Sequence, residues 1–118
     1  VVRAAQALRR ASWLCRLAEC SLAFAEPGPA SRRLLVIAGG EVAARGDLAV
    51  GEPLPLPPGH DRGPEARRQL FDVATFDRLR VLTTELRRVA AEREEVELRF
   101  GPHARLRGRR LRTVLRWV

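Results

Sequence analysis

The apolar positions of this chain change period several times, and each change marks a new element. Residues 2–13 place Val2, Ala5, Leu8 and Ala11 at three-residue steps while Arg3, Arg9 and Arg10 point elsewhere, which predicts an amphipathic helix. Between Cys15 and Glu26 the period falls to two. Cys20, Leu22 and Phe24 alternate with Ser21, Ala23 and Ala25, as expected of a half-buried strand. Pro27-Gly28-Pro29 ends that run, because proline cannot donate to a ladder. Leu34-Leu35-Val36-Ile37 and Glu41 to Arg45 are then joined by Gly39-Gly40, which predicts a tight hairpin whose primed turn needs positive φ. Three consecutive strands form a small antiparallel meander, with the first helix over one face.

Gly51 to Pro64 reads GEPLPLPPGHDRGP, with Pro53, Pro55, Pro57, Pro58 and Pro64. This is a semi-extended connector with polyproline character, either a surface bridge between two halves of the fold or a ligand for a proline-binding domain. The longest helix follows. Leu70, Phe71, Phe76, Leu79, Leu82, Leu86 and Val89 make its stripe, Asp72 or Thr75 caps a turn, and Arg78, Arg80, Glu85, Arg87 and Arg88 lie opposite. The stripe covers fewer than three heptads, so core packing outweighs a coiled-coil seam. Val96, Leu98 and Phe100 alternate with Glu97 and Arg99 as a fourth strand, stopped at Gly101-Pro102. A basic loop broken at Gly108 leads to Leu111, Val114, Leu115 and Val118, a short amphipathic helix with Trp117 near its end. The expectation is one α+β domain over residues 1–118. In it, a three-stranded meander plus one later strand is packed by an N-terminal helix, a long central helix and a short C-terminal helix.

Charge sharpens this picture. The net charge is +8, and all 22 basic residues are arginine. Lysine, methionine, tyrosine and asparagine are absent, a bias that GC-rich codons impose; it explains the choice of arginine but not the excess of base over acid. Gly101 to Val118 holds Arg105, Arg107, Arg109, Arg110, Arg112 and Arg116 and no acid. Such a segment neutralises phosphates and releases their counterions, and it equally suits an acidic protein partner. Phe24, Phe71, Phe76 and Phe100 fall on expected core faces, leaving Trp13 and Trp117 as possible stacking platforms. Nucleic-acid contact is therefore expected to be backbone-directed and sequence-independent.

Catalytic chemistry has little to stand on. His60-Asp61 lies in the proline-rich loop, and the other histidine, His103, also sits beside a proline, so neither metal nor cofactor is expected. Glu92, Glu94, Glu95 and Glu97 straddle a helix end and a strand, where alternate residues face apart; they read as a solvated patch. Ser12, Ser21 and Ser31 have no histidine partner in a nucleophile motif. Cys15 and Cys20 have neither redox nor zinc spacing and read as reduced core residues. No run is long and apolar enough to span a membrane, and a cytoplasmic location is expected. A chain that starts at Val1 is expected to be a conceptual translation or a fragment of a longer protein.

Cys15-Arg16-Leu17 at the helix exit, Val36-Ile37-Ala38-Gly39-Gly40 in the hairpin and Asp77-Arg78-Leu79-Arg80-Val81-Leu82 in the long helix follow one another in a suggestive order. Together they resemble the C-terminal region of bacterial fusions that join an exonuclease like the DNA polymerase III epsilon subunit to a GIY-YIG endonuclease of the excinuclease C type. The resemblance spans most of the chain. It implies a DNA-repair or replication nuclease of which this piece is the non-catalytic end, positioning DNA or docking another factor. The family's catalytic tyrosines and metal-binding acids have no counterpart here, so no catalytic residue carries over. Expected partners are nucleic acid, DNA above all, and other domains of the same parent chain. An interaction module for an acidic partner is the alternative.

Overall fold

The computed structural model describes residues 2–25, 31–49, 51–58, 72–92 and 95–118. The elements run α1 (Val2–Leu17), β1 (Cys20–Ala25), β2 (Ser31–Ala38), β3 (Glu41–Ala49), α2 (Val73–Glu92), β4 (Val96–Arg99), β5 (Arg105–Arg107) and α3 (Gly108–Trp117). Five antiparallel strands form one sheet in the order β3-β2-β1-β4-β5, and three helices pack it. The α+β class, the meander and the three helices are as expected. The fifth strand is new: the stretch read as a basic loop pairs with β4, Leu106 opposite Leu98.

Sheet alternation sorts side chains onto two faces. Cys20, Leu22, Ile37, Val96, Leu98 and Leu106 meet the helices and share a core with Trp13, Leu14, Leu17, Leu79, Leu86, Leu111 and Leu115. The opposite face carries Ala23, Leu34 and Leu48, and the proline-rich connector closes it by laying Leu54 on them. Prolines cannot extend the ladder, but their chain still offers carbonyls. The Ser21 hydroxyl donates to the Pro55 carbonyl, and the guanidinium of Arg99 to that of Leu54. The described part of the connector, residues 51–58, is thus a strap across the sheet. Residues 59–64, with His60 and Asp61, lie outside the described residues, as do Leu70, Phe71 and Glu94.

This strap corrects the reading of β1 as half-buried, since Ser21 and Ala23 are as enclosed as Cys20 and Leu22. The expected start of that strand at Cys15 moves as well, because α1 continues to Leu17. Within α1 the core contacts come from Trp13, Leu14 and Leu17, while Leu8 and Ala11 of the expected apolar stripe are exposed. Three-residue steps of about 300° drift round a helix, so that stripe never formed a single face.

Two local devices join the layers. Gly39 and Gly40 both take positive φ (61° and 77°), making the two-residue turn that the Gly-Gly pair predicts. The turn docks on the α1–β1 junction. Gly40 N–H donates to the Ala18 carbonyl at 3.1 Å, and Gly39 N–H to a carboxylate oxygen of the buried Glu19 at 3.0 Å. Helix α2 is capped by Asp72, just before its first residue: the side chain accepts from Ala74 N–H and the carbonyl from Phe76 N–H, both at 3.0 Å. Thr83 of α2 ties down α1 by accepting the indole N–H of Trp13 at 3.0 Å while donating to the Leu79 carbonyl.

Candidate nucleic-acid interface

The six arginines that follow one another in sequence are separated by the fold. Arg105 and Arg107 project from the edge strand β5 on the face away from the helices, because Leu106 between them turns into the core. The chain then passes Gly108, where φ is +55°, and enters α3. On α3, Arg109, Arg112 and Arg116 share the exposed stripe at i, i+3 and i+7, opposite the buried Leu111 and Leu115. Arg110 stands to one side of the stripe.

Two of the depressions beside this helix are lined by its arginines. An open groove of about 850 Å³ on the strap side gathers Arg105, Arg107 and Arg109 with Arg32, and with Glu52, Glu95 and Glu97. Its charges are mixed. Arg32 is held at 3.1 Å from Glu97 and also donates to the Glu52 carbonyl, so that pair is largely internal. On the helix side, a hollow of about 300 Å³ brings Arg112 and Arg116 against Arg87 of α2, with no acidic residue in its walls. Arg87 donates through Nε to the Leu115 carbonyl at 2.8 Å, satisfying an acceptor in the last turn of α3. Arg87 also borders a smaller hollow of about 150 Å³ with Arg80 and Arg10. The result is a chain of neighbours, Arg10, Arg80, Arg87, Arg112 and Arg116, crossing all three helices.

Reading the sequence assigned Arg112 and Arg116 to a site but left Arg10, Arg80 and Arg87 out of it. A signal for two of these existed in the polar face of the long helix. Only the packing of α2 on α3 turns that face into part of one surface.

Electrostatically the region is under-compensated. The first turn of α3 contains no acid, and Arg107 at its N-cap position makes no side-chain capping bond. Arginines there oppose the helix dipole, which favours anions by roughly 0.3–1 kcal/mol per charge. Among the described residues, none of the six C-terminal guanidiniums takes part in a salt bridge. By contrast Arg88 binds Glu85 at 2.9 Å and Glu92 at 3.4 Å, and the Glu85 hydrogen bond raises its pKa above the ordinary arginine value.

The aromatic platforms divide. Trp117 is exposed, but Trp13 is buried, its ring edge-on to Phe100 and its N–H spent on Thr83; it is no stacking platform. Cys20 is buried, and desolvation, then the Glu19 charge, pushes its thiol pKa far up, so it is inert. Among the described residues no group of three or more His, Cys, Asp or Glu side chains is placed to hold a metal ion. No helix among them is long and apolar enough to cross a membrane. No protein-family model, curated protein or solved structure matches the chain.

Proposed function

We propose that this protein is a non-catalytic accessory module that grips the sugar–phosphate backbone of nucleic acid, without reading base sequence. The observation that carries this reading is the run of neighbouring arginines on α1, α2 and α3, whose two helix-side hollows have no acidic residue in their walls. The α3 stripe continues the run to Arg109, which borders the groove holding Arg105 and Arg107. From Arg109 to Arg116 the helix rises about 10.5 Å, against one phosphate per about 3.4 Å of duplex axis on each strand. A phosphate near the start of α3 relieves both the bare helix end and the repulsion among Arg105, Arg107 and Arg109. The setting we propose, on the strength of the resemblance carried by Cys15-Arg16-Leu17 and the Gly39-Gly40 hairpin, is a DNA-repair or replication nuclease. Other domains of the same parent chain are its neighbours.

Fluorescence anisotropy with a labelled duplex, titrated from low to moderate salt, tests the interface. Each phosphate contact contributes about 0.9 to the slope of log affinity against log salt concentration. Replacing Arg87, Arg112 and Arg116 with Gln should lower that slope by about 2 to 3. Replacing Arg105, Arg107, Arg109 and Arg110 should lower it comparably. Arg88→Gln, whose charge already serves Glu85 and Glu92, should leave it unchanged. Equal slopes for all four proteins would refute the assignment.

A further inference from the structure

A different face of α3 carries a feature that the phosphate path does not use. Between the outer part of α1 and the end of α3 lies a slot of about 740 Å³, walled by Leu8, Ser12, Trp13, Val114, Trp117 and Val118, with Arg9 and Arg16 at its rim. Its floor is the buried Trp13, while the flanking Leu8 and Trp117 are 72% and 57% exposed. Two large apolar side chains facing water across a concave slot are an unpartnered surface. Helix α1 reinforces the point. It joins the core only from Trp13 onward, and of its described side chains from Arg3 to Ser12 all but the half-buried Ala5 are exposed. Helices of this length draw most of their stability from packing an amphipathic face, and this stretch has none packed.

Charge identifies the occupant. Helix α1 carries Arg3, Arg9, Arg10 and Arg16, and α3 carries Arg109, Arg110, Arg112 and Arg116, with no Asp or Glu on either. A second copy seated through the same slot would set like charges against like. A bilayer is met by one continuous apolar helix face, whereas here Leu8 and Trp117 stand on opposite walls of a concave slot floored by Trp13. Phosphates have the arginine stripe on the other side of α3, and the aliphatic walls of Leu8, Val114 and Val118 offer them nothing. We infer that this slot docks an acidic amphipathic segment of another protein. That segment lays a row of apolar side chains between Leu8 and Trp117 and sets its carboxylates on Arg9 and Arg16. The inference is independent of the nucleic-acid reading, since it uses other residues and another ligand.

Selection of displayed random peptides about sixteen residues long on the full 118-residue chain, with depletion against the Leu8→Glu variant, tests it. Enriched sequences should interleave Asp or Glu with Leu, Phe or Trp at helical spacing. A synthetic enriched peptide should blue-shift Trp117 emission, a shift lost in Trp117→Phe. Its affinity should fall at least tenfold in Leu8→Glu and in the Arg9→Glu, Arg16→Glu double variant. Leu8 is mostly exposed, so its variant should keep the wild-type circular dichroism and unfolding midpoint. No enrichment, or enriched peptides that lack acids or ignore Leu8→Glu, would overturn the inference. It would equally fall if an oligo-dT strand or phosphatidylglycerol vesicles gave the Leu8-dependent shift while peptides did not. Concentration-dependent dimers abolished by Leu8→Glu would give the slot to a second copy instead.

Discussion

Gly40→Ala tests how the hairpin turn is seated against α2. At φ +77° an L-residue with a Cβ costs about 1–2 kcal/mol in the left-handed region. Space adds a second cost. A Cβ at Gly40 would lie 2.9 Å from Cγ2 of Thr75 and 3.6 Å from Cγ of Leu79. Carbon atoms prefer about 3.5–4.0 Å, so the Thr75 methyl must yield, and overpacking of this kind costs about 1–3 kcal/mol. Thr75 is buried and sits in the first turn of α2, which leaves it little room to move. The single variant should therefore lose about 2–5 kcal/mol. Thr75→Ser removes the obstructing methyl but keeps the hydroxyl that accepts from Arg78 at 3.1 Å. In that background Gly40→Ala should retain only the backbone cost, so a double-mutant cycle should give a coupling of about 1–3 kcal/mol. Urea unfolding followed by tryptophan fluorescence measures all four corners. Additivity within about 0.5 kcal/mol would show that the hairpin does not bear on Thr75, and the close approach of Gly40 to α2 would be wrong.

Two further outcomes follow from the strap and from the buried thiol. Leu54→Ala should cost about 2–4 kcal/mol, because Leu54 is 2% exposed and closes the cluster with Ala23, Leu34 and Leu48; urea unfolding should show this, and a loss below about 0.5 kcal/mol would mean the strap does not cover that face. Cys20 should resist a thiol reagent until the protein unfolds. Its folded pKa lies above the unfolded one, so above roughly pH 8.5 only the unfolded chain loses the proton, and stability should fall by up to about 1.4 kcal/mol per pH unit. Below that pH the contribution is complete. Cys20→Ala should show a shallower fall between pH 8 and 10, and identical profiles would refute the linkage.

Most of the fold was readable because its signals are local. A period of two at Cys20, Leu22 and Phe24, the Gly39-Gly40 pair and the stripe through Leu79, Leu82 and Leu86 are each set by side-chain geometry within a few residues. Strand β5 escaped because Arg-Leu-Arg holds a single apolar residue, and its identity as a strand comes from hydrogen bonds to β4 rather than from its own composition. The direction of α1 escaped because an alanine-rich helix has no strong face until it meets a core. Trp13 was a candidate platform only while nothing showed that Thr83, seventy residues away, accepts its N–H.

The candidate site shows the same division. The sign of the charge, its concentration between Arg105 and Arg116 and the lack of acid in that stretch are properties of composition, and the amino-acid sequence alone determined them. It likewise determined the helix and strand periods and the turn that only glycine makes cheaply. Tertiary structure decided which surfaces those charges share. Placing β5 at the sheet edge sent Arg105 and Arg107 to the strap side, and packing α3 on α2 joined Arg112 and Arg116 to Arg87. It also decided that a proline-rich connector would be a wall of the core, since side chains far away in sequence could bond its carbonyls. Local periodicity fixes which way a residue points from its own element. What lies there depends on long-range packing, because the burial of apolar area is indifferent to sequence separation.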